Sequence, residues 1–364
     1  MKKLWKRHIF TAGYPYEKDE AVTLFLKERF EKVDVFLMSI GRMSNIPPSR
    51  LLSYINGKLV KEKIYKKSNL RSDGMILYLL NIPQSLISIT FDMLRALKSI
   101  NFKCDIFFAR HFFPAFIAIN LRRFGILKCK KIIFWMDDFY PIPPEFFRSL
   151  YSRGIDVMQG FIRKNVDEIW YTTPRILECD KNRFGSLPKT VRIRLVQGYF
   201  FRRIKTAPPP KLLPLRLVFL GSLRRDNGIF EPVDLIDICI RKKMNIELFI
   251  VGSGTDEKDL KQYVEHKNLS HVIKFLGFED RGKEIANILS KCHLGVALYP
   301  TYSSSPNWYL TSGKCRRYIS QRLPIVVSTV PYFAKYIHDY NAGIIVDNNF
   351  EEVPLALREI YNNP

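Results

Sequence analysis

The stretch from Leu215 to Gly228, which reads LRLVFLGSLRRDNG, decides the fold of the second half of the chain. Its first six residues form an almost unbroken apolar run, which is typical of a strand buried on both faces of a parallel sheet. Gly221 ends that run, and a helical pattern over Glu231–Lys242 follows the loop. A strand, a glycine-containing turn and a helix in this order predict the first unit of a doubly wound α/β domain.

The same alternation of strand and helix patterns extends in both directions from Leu215. Further strands are predicted in the second half at Ile246–Val251, Val272–Leu276, Leu294–Leu298, Pro324–Ser328 and Gly343–Val346. The first half has strand patterns at His8–Ala12, Val33–Ser39, Asp105–Ala109, Lys131–Met136 and Glu168–Thr172, with a long helical pattern over Glu145–Asn165. Strands separated by helices predict βαβ units, and hence a parallel sheet with helices on both faces in each half.

The three prolines Pro208–Pro210 separate the two halves. A run of prolines continues neither a helix nor a central strand, so it predicts a semi-rigid linker. The predicted organisation is an N-terminal domain over residues 1–207, a linker over 208–214 and a C-terminal domain over 215–364. Two such domains would face each other across a cleft, with ligands bound beyond the carboxyl ends of the strands.

The positive charge of the chain is concentrated before this linker. The net charge is +23, with 58 Lys and Arg against 35 Asp and Glu. Residues 1–207 hold 38 basic and 18 acidic residues, and residues 208–364 hold 20 and 17. The excess of +20 in the first half indicates an anionic partner there: phospholipid headgroups, a lipid-linked phosphate or nucleic acid.

The sequence favours a soluble or peripheral protein. The apolar residues after the basic start are too few for a secretory signal. The longest apolar run, Met75–Phe91, is interrupted by Asn81 and Pro83, which makes it a poor spanning helix. It is either a buried helix or an amphipathic segment lying on a membrane. We expect a cytoplasmic protein, peripheral at the inner face of the cell membrane.

Cysteine and histidine spacing argue against a disulfide scaffold and a metal centre. The six cysteines include no CxxC pair, which fits a reducing compartment. The histidines show neither HxH nor HExxH spacing. We therefore expect no metal and no cofactor.

Two glycine-containing segments have the chemistry of a phosphate site. Gly221 permits close approach of the backbone, and Arg224 and Arg225 offer charge-assisted donors suited to a diphosphate. Near residue 313, a predicted helix start carries Lys314 in its first turn, where a bound anion would offset the unfavourable helix dipole. A plain turn at Gly221 and an exposed lysine at 314 are the structural alternatives.

Together these segments resemble the donor-binding domain of GT-B glycosyltransferases, which join two Rossmann-like domains across a deep cleft. The resemblance covers about residues 215–347. It rests on the order of LVFLG at 217–221, FIVGSG at 249–254, IKFLGF at 273–278, CHLGVALYP at 292–300 and PIVV at 324–327. The first half resembles, more loosely, the acceptor domain of bacterial envelope-polysaccharide transferases through FWMDDF at 134–139 and VDEIWYTT at 166–173.

One difference from the family pattern restricts which GT-B members the chain resembles. Large retaining, GT4-like members carry two glutamates eight positions apart, but Tyr309 and Arg317 stand there in this chain. The family's ribose contact is therefore not carried over. The chain is more similar to membrane-associated, inverting glucuronosyltransferases of exopolysaccharide synthesis. In that comparison Glu279, Tyr299 and Lys314 match the nucleotide-site residues.

The resemblance implies a hexosyl- or glucuronosyl-type transferase that uses a nucleotide-diphosphate sugar, with UDP as the default nucleotide. Gly221, Arg224, Arg225 and Lys314 would hold the diphosphate in place of a metal, with Glu279 and Tyr299 near the base or ribose. Asp137 or Asp138 would be the catalytic base, unless this pair caps a helix. The expected acceptor is lipid-linked or a polysaccharide, at an anionic membrane surface. The alternatives are a nucleic-acid-binding basic protein and a non-catalytic GT-B partner subunit.

Overall fold

The computed structural model describes residues 4–13, 17–39, 48–65, 75–137, 139, 146–196, 203–205, 214–279, 281–300, 306–309, 312–347 and 349–362. Contacts between residues divide the chain into two compact units, Met1–Gln197 and Gly198–Pro364. The prolines Pro208–Pro210 lie outside the described residues.

The first unit is built on one sheet. Its strands are β1 (Trp5–Gly13), β2 (Phe30–Leu37), β3 (Arg50–Ile55), β4 (Lys58–Ile64), β5 (Lys103–Ala109), β6 (Lys128–Met136), β7 (Glu168–Tyr171) and β8 (Arg192–Leu195). Its helices are α1 (Glu17–Lys27), α2 (Met75–Lys98), α3 (Phe112–Arg123), α4 (Phe146–Asn165) and α5 (Pro174–Phe184). The described strands lie in the order β4-β3-β2-β1-β5-β6-β7-β8, so the strand order reverses between β1 and β5.

The strands β3 and β4 form an antiparallel hairpin that the sequence patterns did not predict. The predicted parallel sheet is confirmed from β2 to β8, and the antiparallel hairpin is an unpredicted addition at one edge. The physical reason is that every residue of β4 is exposed and the strand alternates lysines with aliphatic residues, so it lacks the apolar run of a buried strand. The predicted long helix over 145–165 is confirmed as α4.

The apolar run from Met75 to Phe91 forms the greater part of α2. The described side chains of this helix bury Ile89 and Met93 but leave Ile87 and Phe91 more than half exposed. Among the described helices, none combines the length and the apolar character needed to cross a bilayer.

The second unit is also built on one sheet. Its strands are β9 (Leu215–Leu220), β10 (Ile246–Val251), β11 (Ile273–Gly277), β12 (Leu294–Ala297), β13 (Ile325–Ser328) and β14 (Gly343–Val346). Its helices are α6 (Glu231–Arg241), α7 (Glu257–His266), α8 (Gly282–Leu289), α9 (Gly313–Ser320), α10 (Ala334–Asp339) and α11 (Val353–Asn362). The described strands are all parallel, in the order β11-β10-β9-β12-β13-β14, which confirms the predicted doubly wound sheet.

Tyr318 of α9 ties β9 to β12 at the point where the strand order reverses. Its hydroxyl accepts a hydrogen bond from the Leu220 amide at 2.9 Å and lies 3.1 and 3.2 Å from the carbonyls of Val218 and Val296. The ring is fully buried against Gly295, where a Cβ atom would stand 2.3 Å from it. The absence of a side chain at Gly295 therefore lets α9 approach the sheet, and this contact fixes where the first turn of α9 lies.

We predict that Gly295→Ala lowers the free energy of unfolding by about 1–3 kcal/mol, because the Tyr318 ring has to move away from the new methyl group. Urea unfolding followed by circular dichroism measures the change. Gly313→Ala is the matched control, since a Cβ atom there meets nothing within 4 Å. Equal stability of the Gly295 variant and the control would contradict the account of how α9 packs.

Candidate active site

The loop 221–228 lies at the carboxyl end of β9, next to the strand-order reversal. A Cβ atom on Gly252, which follows β10, would stand 1.8 Å from the Gly221 carbonyl oxygen. A Cβ atom on Gly228 would stand 1.5 Å from the carbonyl oxygen of Leu298, which follows β12. The loop is thus packed between the segments that follow β10 and β12, and glycine is required at both close approaches.

Lys314, the second residue of α9, reaches into this loop. Its ammonium donates a hydrogen bond to the Asn227 carbonyl oxygen at 2.9 Å. It lies 4.0 Å from the ring centroid of Phe219 and 4.5 Å from that of Tyr299. A Cβ atom on Gly221 would come within 3.6 Å of the Lys314 Cε. The alternative of an exposed lysine is wrong, because this side chain is buried.

Burial lowers the pKa of Lys314 to about 7, although the nearby carboxylates of Glu231 and Asp226 act in the opposite direction. Removing an ammonium from water disfavours its charged form, and two aromatic faces and one carbonyl compensate this only in part. Near neutral pH, Lys314 is therefore poised between its neutral and its charged state. A nearby anion would favour the charged state.

The N-terminus of α9 is organised by Ser312 and Tyr299. Ser312 is the N-cap, and its Oγ accepts from the Cys315 amide at 3.3 Å. The hydroxyl of Tyr299 hydrogen-bonds to the same Oγ at 2.8 Å. Burial raises the pKa of the Tyr299 hydroxyl well above its usual value. Tyr299 is thus a wall of the Lys314 pocket that also holds the helix cap.

Arg224 and Arg225, which the sequence predicts to hold a diphosphate, have other partners in the structure. The Arg224 guanidinium is exposed and ion-paired with Asp226. The Arg225 guanidinium lies 4.7 Å from the ring centroid of Phe230, and the Arg225 amide donates to Asp256 Oδ2 at 2.7 Å. Arg225 and Phe230 line a cavity of about 660 Å³ beside α7. The structure therefore brings Gly221, Tyr299 and Lys314 together, whereas the guanidinium groups of Arg224 and Arg225 are held by Asp226 and Phe230.

Glu279 follows β11, the edge strand two positions from β9. Its carboxylate receives hydrogen bonds from Arg281, from the backbone amide at 2.8 Å and from Nη2 at 2.6 Å. This arrangement fixes the carboxylate on the loop.

Sequence reasoning missed two contributors to the Lys314 pocket, the Phe219 ring and the Asn227 carbonyl, whereas it had placed Ser312 at the helix start. Phe219 lies two residues before Gly221 in β9, and this position next to the loop was the available signal. The role of Asn227 depends on its backbone, so its residue type carried no signal.

In the first unit, Asp137 directly follows β6, at the carboxyl edge of the sheet, and is partly buried. The next described helix begins at Phe146, so Asp137 does not cap it. Asp138 lies outside the described residues. On the neighbouring strand, Arg110 follows β5 and packs on Gly13, where a Cβ atom would stand 2.7 Å from Arg110 Nε.

His111 and His293 have structural contacts with the backbone. His111 is the N-cap of α3, and its Nδ1 accepts from the Phe113 amide at 3.3 Å. His293 Nδ1 accepts from the Arg216 amide at 2.9 Å. In the part of the chain that the structure describes, no three His, Cys, Asp or Glu side chains form a group that could hold a metal ion.

Residues 214–363 match the model of the family described as Glycosyl transferases group 1. No curated protein matches the sequence of the chain significantly. Many solved structures share its fold. One is the sucrose-phosphate synthase of Thermosynechococcus elongatus, at a TM-score of 0.69 and 14% identity over 99% of this chain and 90% of that one.

Two further similar structures contain a nucleotide or an analogue of a nucleotide sugar. One is described as trehalose-6-phosphate from Escherichia coli bound with UDP-2-fluoro glucose. It matches at a TM-score of 0.65 and 12% identity over 98% of this chain and 92% of that one. The other is Anabaena HepE in complex with UDP, at a TM-score of 0.59 and 11% identity over 98% and 90%. These likenesses establish the fold. They show that the chain has the GT-B fold, and the family match shows that residues 214–363 resemble the glycosyl transferases of group 1.

Proposed function

We propose that the protein transfers a sugar from a UDP-sugar to a lipid-linked or polysaccharide acceptor at the cytoplasmic face of the membrane, without a metal. The observation that carries the proposal is the buried ammonium of Lys314, held at the start of α9 against the glycine loop after β9. A helix N-terminus attracts anions through its unbonded amides and its dipole. The diphosphate of a nucleotide sugar would meet both positive features at one place.

The charge balance of the pocket supports a diphosphate. The hydrogen-bond partner of the Lys314 ammonium is a neutral carbonyl, and two rings flank it. The carboxylates of Glu231 and Asp226 are near enough to act on it but do not offset the cost of its burial. Buried charges are stable when they are paired with an opposite charge. A diphosphate beside Lys314 would supply that charge, and Lys314 would in turn offset the charge that develops on the departing nucleotide. In this scheme Arg224 and Arg225 would turn from Asp226 and Phe230 towards the phosphates.

The UDP part of the proposal draws support from the solved structures. HepE is described in complex with UDP, and the Escherichia coli structure is described with UDP-2-fluoro glucose. Glu279 and Tyr299 keep the roles that the sequence resemblance assigns, near the base or ribose. The sugar itself is hexosyl or glucuronosyl in this proposal.

The proposed reaction is an inverting transfer with Asp137 or Asp138 as base. The carboxylate takes the proton of an acceptor hydroxyl, and that oxygen bonds to the anomeric carbon as the bond from this carbon to the diphosphate oxygen breaks. UDP leaves with the electron pair of that bond. Asp137 follows a parallel strand at its carboxyl end, where open α/β sheets bind ligands.

We predict that Lys314→Ala raises the Kd for UDP about 10–100-fold, because the variant loses a charge-assisted contact. Isothermal titration calorimetry with UDP measures the change. Lys291→Ala, at an exposed position of the same unit, is the control and keeps the wild-type Kd. Failure of the wild-type protein to bind UDP or any other nucleotide at millimolar concentration would refute the enzyme proposal in favour of a non-catalytic GT-B subunit.

We predict that UDP affinity falls as the pH rises from 7 to 9. Free Lys314, with a pKa of about 7, loses its proton in this range, whereas the bound diphosphate raises that pKa. Binding must then take up a proton, so the affinity falls by up to about tenfold per pH unit. Calorimetry in two buffers of different ionisation enthalpy measures the uptake directly. Lys314→Arg keeps its charge and should show no uptake; uptake by this variant as well would assign the proton to another group.

We predict that one of Asp137→Asn and Asp138→Asn lowers kcat about 100–10,000-fold while UDP affinity stays unchanged, since the base acts on the acceptor. A screen of labelled nucleotide sugars with membrane extract as acceptor first identifies the donor. The rate of transfer from that donor then measures the effect. Asp339→Asn, in the second unit, is the control. Full turnover by both variants would rule out the inverting scheme.

A further inference from the structure

Three segments of the first unit meet at the amino-terminal edge of its parallel strands. The Trp5 amide at the start of β1 donates to the Arg29 carbonyl just after α1, at 2.7 Å. The Asn56 amide in the β3–β4 turn donates to the Glu31 carbonyl at 2.8 Å. The start of β1, the end of α1 and the β3–β4 hairpin therefore form one continuous surface. We call the surface of residues 5–7, 25–32 and 55–64 the Trp5 surface.

Large apolar side chains of the Trp5 surface face solvent. Trp5 is 57% exposed, although its indole ring makes a T-shaped contact with the Phe30 ring, with the ring centroids 5.0 Å apart. Phe25, Ile55 and Leu59 are each about half exposed. An exposed tryptophan among other apolar side chains marks an interaction site more often than a scattered surface residue does.

Cations surround these apolar groups. Lys58, Lys61 and Lys63 pair in register with Ile55, Ser53 and Leu51, so the three lysines lie along the face of the hairpin that carries Ile55. Leu59, which pairs with Tyr54, lies on the other face, so the hairpin offers apolar groups on both sides of its exposed edge. The Arg29 guanidinium lies 3.8 Å from the centroid of the Phe25 ring. In sequence, the Trp5 surface holds eight Lys and Arg against three Glu.

We propose that the Trp5 surface docks the protein on an anionic lipid bilayer. Tryptophan and phenylalanine favour the interface between water and hydrocarbon, and lysine and arginine bind the phosphates of anionic lipids. Nucleic acid would pair with the lysines but leave Ile55 and Leu59 in water. A second copy would place eight cations against eight in a symmetric contact, which is unfavourable. The bilayer matches both the charge and the apolar groups.

Co-sedimentation of the full chain with vesicles tests this proposal. Vesicles of phosphatidylcholine with phosphatidylglycerol should bind the protein, and vesicles of phosphatidylcholine alone should bind it much more weakly. The triple variant Lys58→Glu, Lys61→Glu, Lys63→Glu should bind the anionic vesicles about 100-fold more weakly. The matched control changes three exposed lysines of the second unit, Lys258→Glu, Lys283→Glu and Lys291→Glu, and keeps the wild-type affinity.

Indole fluorescence tests the apolar part separately. The chain has four tryptophans, so a blue shift on adding anionic vesicles is assigned to Trp5 if Trp5→Phe removes it. Thermal unfolding of each variant verifies that it is folded.

Four results would overturn the proposal. The first two are a wild-type protein that does not bind anionic vesicles, and a control triple variant that loses as much vesicle affinity as the triple variant of Lys58, Lys61 and Lys63. The third is a wild-type dimer in light scattering that becomes monomeric in the latter variant. The fourth is a loss of DNA binding in that variant while its vesicle binding is unchanged. The inference adds the docking surface to the membrane part of the proposed function. UDP affinity measured without vesicles on the same proteins reports the catalytic part alone, so the two can fail separately.

Discussion

The burial of one ammonium group constrains the carboxyl edge of the sheet in the second unit. Lys314 lies between the rings of Phe219 and Tyr299 and is held by the Asn227 carbonyl. For this contact to form, the loop after β9 must fold back towards α9, and α9 must lie close to the sheet. Glycines at 228 and 252 meet the first condition, and the Tyr318 ring packed on Gly295 meets the second. Packing between the helix and the sheet thus sets the position of the charge.

Much of this framework could be predicted from the sequence. The apolar runs at β9, β10 and β12 and the glycines that follow two of them are local signals, and they predicted the doubly wound parallel sheet of the second unit, although not the order of its strands. The burial of Lys314 was not predictable, because a lysine in the first turn of a helix has the same local sequence whether its side chain points to solvent or into a pocket. The ion pair between Arg224 and Asp226 was likewise not predicted, because the sequence motif considered only the basic residues of the loop.

The first unit shows a different limit of sequence reasoning. The surplus of +20 in residues 1–207 predicts an anionic partner but does not say where the partner binds. Some cations are neutralised inside the fold: Lys131 and Arg194 flank the buried Glu168, where their contacts outweigh the effect of burial and lower the pKa of that carboxyl. The β3–β4 hairpin, which no apolar run in the sequence predicted, carries lysines that are exposed. The exposed lysines could therefore be located only once the structure showed β4 at the edge of the sheet.

The length of β1 sets a distance between the two edges of this unit. The strand runs from Trp5 to Gly13, and nine extended residues span about 30 Å. Asp137 follows β6 at the opposite edge from Trp5, because β1, β5 and β6 are parallel. The Trp5 surface also continues along β4 as far as Lys63, which pairs with Leu51 and lies near the edge that holds Asp137. Five strand spacings, or about 24 Å, separate β4 from β6. A bilayer against β4 would therefore lie beside the sheet, and an acceptor sugar would have to project about that far from the headgroups to reach Asp137.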